Sequence, residues 1–270
     1  MKRNKAGYYP CPDGVDRISV TTVLKVLNKE ALVGWAAKVE REAVLKVVEE
    51  VLRDPRSLTK PLTEILLEIE SRIPAVKAAE LALSKAGDIG TEIHDVLEHE
   101  LKKQMGVPVK EVVVRPEALE AARKGLVYLK GLGFEPLLTE RSVWSVYPSY
   151  AGTLDAYGIA YYKGKLVNVV ADWKSGKSIY VEAILQVGAY AAALRERVLA
   201  GDIEVKIVDN LYGLIVRMPK EGGEPSALWL EPEQMLSAFN AFSHAYDLRE
   251  SLEEHKKLVE WKPTKKKRAA

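Results

Sequence analysis

Asp155, Asp172 and Lys174 are the residues of this chain whose types and spacing are best suited to chemistry. Tyr162-Lys163-Gly164-Lys165 reads as a tight turn, because glycine supplies the positive φ that a two-residue hairpin loop requires. With Lys163-Gly164 as the loop, each step back along one strand matches a step forward along the other, and Asp155 falls opposite Asp172. Lys174, two residues further, stands on the same face. Two carboxylates about 5 Å apart repel by roughly 3 kcal/mol at an effective dielectric near 20, and like charges directly opposite are unfavourable in a sheet. Lys174 offsets part of that repulsion and a divalent cation offsets more. Gly152 and Gly176 are expected at bends that leave room for such a ligand. Asp172 also ends the apolar run Leu166-Val167-Asn168-Val169-Val170-Ala171, which reads as an interior strand, where an acid belongs to a site more often than to open surface. The competing reading is a surface hairpin with an Asp–Lys salt-bridge cluster.

The elements that must position these groups fall into two parts. From Thr22 to about Lys103 apolar residues recur at three-to-four spacing, as in Ala43, Val44, Val47, Val48 and Val51 and in Leu62, Ile65, Leu66 and Ile69, which predicts successive helices. Pro55, Pro61 and Pro74 punctuate them. A further helix is expected over 117–130. Strands follow at about 135–147, 152–162 and 165–174, then a helix at 180–200, a strand at 203–217 and a helix at 232–256. The expected division is 1–105, an N-terminal helical lobe with the His94 helix; 106–256, the core; and 257–270, a basic tail with Lys262 and Lys265 to Arg268.

Three motifs in this order, Gly152-Thr153-Leu154-Asp155, Asp172-Trp173-Lys174 and Gln186-Val187-Gly188-Ala189-Tyr190, resemble the PD-(D/E)XK nuclease superfamily, in its RecB-type and phage exonuclease branch. The resemblance implies an α/β, restriction-endonuclease-like core with a mixed central sheet flanked by helices, and hydrolysis of DNA phosphodiester bonds with Mg²⁺ or Mn²⁺. It assigns metal binding to Asp155 and Asp172, water activation to Lys174, and the supporting helix motif to Gln186 and Tyr190. The upstream Gly90-Thr91-Glu92-Ile93-His94 is similar to an element of the same branch and marks His94 as a further metal ligand, with the Trp173 carbonyl beside it. Glu140, on the preceding strand, is a candidate for orienting a metal-bound water. The branch also includes members with a four-cysteine iron–sulfur cluster, which a chain with only Cys11 cannot build. The opening Ser19-Val20-Thr21-Thr22-Val23-Leu24 and Leu32 to Ala37 are similar to phage-encoded members, without an assigned role.

Lys177, Tyr180 and Arg195 are candidate DNA-groove residues through phosphate contact and stacking, with solvated charge as the competing account of each. Ala171 to Ser178 also fits a relaxed phosphate-binding loop, which would make the protein an NTPase. Against it, Asp and Trp are poor residues where backbone N–H groups must wrap a polyphosphate. A third reading is a non-catalytic DNA-binding protein on the same scaffold. The 270 residues, 47% of them hydrophobic and 29% charged, are enough for a cored domain with an added lobe. One cysteine, no long apolar run and no apolar signal core lead to the expectation of a soluble, cytoplasmic protein without a membrane partner. The net charge of +2 selects no partner class.

Overall fold

The computed structural model describes residues 1–27, 30–73 and 78–259; Pro74 and the basic tail from 260 onward lie outside them, as does the side chain of Leu32. In chain order the elements are β1 (Tyr8–Pro10), β2 (Asp16–Ser19), α1 (Val20–Val23), α2 (Glu30–Arg53), α3 (Leu62–Arg72), α4 (Ala78–Gln104), α5 (Pro116–Gly131), β3 (Glu135–Ser145), β4 (Tyr150–Tyr162), β5 (Lys165–Lys174), α6 (Val181–Leu199), β6 (Leu211–Arg217), β7 (Ser226–Leu230) and α7 (Pro232–Val259). Among the described residues no helix is long and apolar enough to cross a membrane.

The chain divides into two compact units. One comprises Met1–Leu27 with Glu92–Ala270, and the other Asn28–Thr91. The smaller unit is helical: α2 turns through a 3₁₀ segment, Pro55–Thr59, into α3. There the Ser57 hydroxyl donates to the Val51 carbonyl at 2.6 Å, and Glu40 accepts the backbone N–H of Ala79 at 3.1 Å. Pro55 opens the 3₁₀ turn and Pro61 precedes α3, where a missing N–H costs nothing.

The larger unit is built on a seven-stranded mixed sheet in the order β1-β2-β4-β5-β6-β7, with β3 pairing β4, and is flanked by helices. The β4–β5 hairpin has the expected register: Tyr162 faces Lys165 and Ala156 faces Ala171, with Lys163 at φ 50° and Gly164 at φ 76° in the turn. β5 pairs β4 on one side and β6, in parallel, on the other, which makes it interior as its apolar run predicts. α6 crosses between β5 and β6, and its face of Ala183, Val187, Tyr190 and Leu194 joins Val170, Ile215, Phe242 and Val20 in the main core.

Three corrections arise. The strand expected over 203–217 is confined to Leu211–Arg217; Ile203, Val205, Ile207 and Val208 pack on the core from an irregular segment, so their apolar character is satisfied by burial without a ladder partner. Gly152 is no bend. It lies inside β4 opposite Val143, and a Cβ there would stand 2.4 Å from the Tyr190 ring. The short strands β1, β2 and β7 were not foreseen, and the first two place residues 8–19 in the sheet of the larger unit. Three-to-five-residue strands fall below what alternation can reveal.

Candidate metal centre

Along one side of β4 the neighbour changes. β5 holds Ala156 to Tyr162, and β2 holds Tyr150 and Ala151 in parallel pairing, while β3 pairs Tyr150 to Ile159 along the opposite side. Gly152 to Asp155 therefore lie where β5 has splayed away and β2 has not yet arrived. Asp155 bridges the opening with its side chain: Oδ2 accepts the backbone N–H of Trp173 at 2.7 Å, replacing a ladder bond that would otherwise be lost.

Other elements close around that opening. From α4, His94 brings Nδ1 to 3.5 Å from Asp155 Oδ1, and its Nε2 lies 3.1 Å from the Trp173 carbonyl oxygen. The carbonyl can only accept, so Nε2 carries a proton and Nδ1 is the ring atom facing the carboxylate. From β3, Glu140 sits between Thr139 and Arg141, which pair with Ala156 and Leu154 and so bracket Asp155. One ligand atom each from His94, Glu140 and Asp155 lies within 4.8 Å of the others. Glu140 has φ 46°, a left-handed conformation that a side chain with a Cβ adopts at a cost of roughly 1–3 kcal/mol. Its carboxylate accepts no hydrogen bond among the described residues.

Asp172 is fully buried, and neither carboxylate oxygen accepts a well-aligned hydrogen bond. Its close partner is Lys174 Nζ, 2.5 Å from Oδ2. Lys174 also donates to Gln186 Oε1 at 3.2 Å, and Gln186 Nε2 donates to the Tyr190 hydroxyl at 3.1 Å. The Tyr190 ring lies against Gly152, so this string of polar groups is held by a glycine with no room for a methyl.

Burial and neighbours raise the proton affinity of Glu140, Asp172 and His94 and lower that of Asp155. Burial and the Asp155 charge push Glu140 up to about 8, against the lowering effect of His94. Burial also pushes Asp172 up, to about 6, although Lys174 opposes it. Burial disfavours the His94 imidazolium, but Asp155 prevails and raises it to about 9. Asp155 resists its own burial because His94 and Lys174 hold it ionised, below the usual carboxylate range. His94, Glu140 and Asp155, one imidazole and two carboxylates, form a set that could hold a metal ion.

No family model matches this chain, and the comparison with curated proteins gave no match. The assignment of the site therefore stands on its geometry. The structure brings together His94, Asp155, Asp172, Lys174, Gln186, Tyr190 and the Trp173 carbonyl. The carboxylates of Asp155 and Asp172 do not share one spot equally: the three-ligand cluster takes Glu140, and Asp172 is drawn to Lys174. Glu140 is the residue that strand position alone undervalued, since its strained backbone is invisible in the sequence. Arg195 lies nine residues beyond Gln186 on α6, about 14 Å along the helix axis, and pairs with Asp209 at 2.7 Å. Lys177 is exposed and 3.3 Å from Glu221, and Tyr180 is the exposed residue before α6. Ala171 to Lys174 are strand residues, so the phosphate-loop pattern has no backbone cradle over its first half.

These shifts carry a stability prediction. Asp172, Glu140 and His94 all bind protons more tightly in the folded chain than in the unfolded one, so their contribution is complete at low pH and is lost as pH rises through about 6, 8 and 9. The thermal midpoint of the metal-free protein should fall between pH 6 and pH 9. Mn²⁺ should raise it more at pH 8.5 than at pH 6, because ligands must shed protons to bind. Calorimetric scans across that range check both, and a midpoint that rises with pH would contradict the assignment.

Glu140 carries a second prediction. Glu140→Gly removes both the left-handed strain and a half-buried carboxylate, so the metal-free protein should gain roughly 1 kcal/mol while Mn²⁺ affinity drops about tenfold or more. Paired thermal melts and metal titrations measure the two effects, and unchanged metal affinity would remove Glu140 from the ligand set.

Proposed function

We propose that this chain is a Mg²⁺- or Mn²⁺-dependent deoxyribonuclease with a restriction-endonuclease-like core, of the RecB-type and phage exonuclease branch. The observation that carries the reading is the meeting of Asp155, Asp172 and Lys174 at the splayed end of two central strands, with His94 and Glu140 closing the ligand set. A phosphodiester is a poor electrophile with an anionic leaving group, and this is the combination its hydrolysis needs.

His94, Glu140 and Asp155, with Asp172 and the Trp173 carbonyl adjacent, are the groups that would hold the cation. Once bound, it supplies Lewis acidity toward the phosphoryl oxygens and lowers the pKa of water. Lys174 provides the fixed positive charge. Its ion pair with Asp172 and its hydrogen bond to Gln186 restrict the ammonium to one position, where it orients the attacking water and stabilises charge developing on the phosphate. Tyr190 holds Gln186 in turn and acts as a positioning residue.

The deciding experiment incubates labelled linear and covalently closed circular DNA with Mg²⁺, Mn²⁺ or chelator. Cation-dependent cleavage is expected, and cutting of the circle distinguishes internal from end-dependent hydrolysis. DNA that survives every cation would overturn the reading.

A further inference from the structure

The first residues of the chain carry three cations, Lys2, Arg3 and Lys5, and they are anchored in the larger unit. The Asn4 side chain accepts the Tyr8 N–H at 2.9 Å, Asn4 N–H donates to the Tyr8 carbonyl at 2.8 Å, and Ser19 N–H donates to the Gly7 carbonyl at 2.8 Å. Gly7 itself, at φ 90°, is pressed on Thr22, where a Cβ would approach the hydroxyl to 2.5 Å. This fixed turn walls a cleft of about 320 Å³ lined by Arg3, Lys5, Gly7, Thr22 and Lys25, with no carboxylate in its lining.

Arg3 donates once, to the Thr21 hydroxyl at 2.9 Å, which leaves most of its five N–H donors exposed. Among the described residues Arg3, Lys5 and Lys25 have no acidic partner, whereas Arg17, Arg56, Lys60, Lys102, Lys163 and Arg197 do. With a net charge of only +2, this is a local concentration and not a general excess. The cations are exposed and spread along an open cleft, a layout that tracks a chain of separated negative charges better than it encloses one small anion.

Its location supplies the partner. The Met1 carbonyl accepts the Ser142 hydroxyl at 3.1 Å, Ser142 Oγ is 3.4 Å from Thr153 Oγ1, and the Tyr9 hydroxyl lies 3.3 Å from the same oxygen. Thr153 is two residues before Asp155 on β4, roughly 6.7 Å along the strand. We infer that the Arg3–Lys5–Lys25 cleft holds the phosphates of the nucleic-acid strand whose scissile bond lies at the metal centre. This rests on the nuclease reading for the identity of the strand, and on charge and placement for the contact.

The test measures binding of a labelled oligonucleotide, single-stranded and duplex, in chelator across a salt series, for the full chain and for Arg3→Gln/Lys5→Gln/Lys25→Gln. All three side chains are exposed, and circular dichroism with a thermal melt checks the fold. The variant should bind at least about tenfold more weakly at 0.1 M salt, with a log–log salt slope shallower by roughly 2, at about 0.7 to 0.9 per lost phosphate contact. Unchanged affinity and slope in a variant of a protein that cuts DNA would overturn the cleft and leave the nuclease reading intact. Weakened binding in a protein that no cation makes cut would support the cleft and overturn the nuclease. Loss of anionic-vesicle binding at unchanged oligonucleotide affinity would assign the cleft to a lipid surface and overturn it as stated.

Discussion

Asp155→Asn should reduce cation-dependent DNA cleavage by roughly 10³-fold, equivalent to about 4 kcal/mol of transition-state stabilisation. The substitution keeps a side-chain oxygen that can accept the Trp173 N–H, now 2.7 Å from Asp155 Oδ2, and removes the charge beside His94 Nδ1. It therefore separates ligand charge from the bond that spans the splayed strands. Asp155→Ala loses both and should also unfold at lower temperature. Initial rates with Mn²⁺, together with Mn²⁺ affinity by calorimetry, measure the effect. A fully active Asp155→Asn protein would show that the cluster of His94, Glu140 and Asp155 is a structural feature and no reaction centre.

Lys174→Ala should act on rate and stability together. Asp172 is fully buried and its nearest counter-charge is the ammonium 2.5 Å away, so truncating Lys174 leaves an uncompensated acid inside the sheet. Breaking such a pair costs about 3 kcal/mol, which corresponds to a thermal midpoint lower by roughly 6–12 °C in a chain of this size. Cleavage should fall by about 10²- to 10³-fold through loss of the fixed charge. The double variant Lys174→Met/Asp172→Asn removes both charges, and it should recover much of the stability without recovering activity. That non-additivity is the signature of a coupled pair. Equal melting temperatures for the wild type and Lys174→Ala would mean that the ion pair stabilises nothing.

The register of the β4–β5 hairpin was legible because a two-residue Lys163-Gly164 loop fixes which residues face each other. Burial could not have chosen it, since Val169, Val170 and Ala171 on the interior strand β5 are all buried, on both of its faces. Helices α5, α6 and α7 were legible within a few residues, since long periodic segments report their own buried face. The position of Glu140 was less legible. No local propensity of Glu foretells its left-handed backbone between the paired residues Thr139 and Arg141. β1 and β2 were missed because their stability is non-local: β2 pairs with residues more than a hundred positions away, at Tyr150 and Ala151.

Residue type and spacing on their own placed Asp155, Asp172 and Lys174 together, since strand periodicity and one tight turn are local properties that a chain carries with it. Tertiary structure alone decided which acid faces the ring of His94 and which is claimed by Lys174. Those choices depend on where β5 leaves β4, on the helix that presents His94 and on burial that moves each proton affinity. Each of these is set by packing between segments far apart in the chain, where sequence spacing carries no distance information.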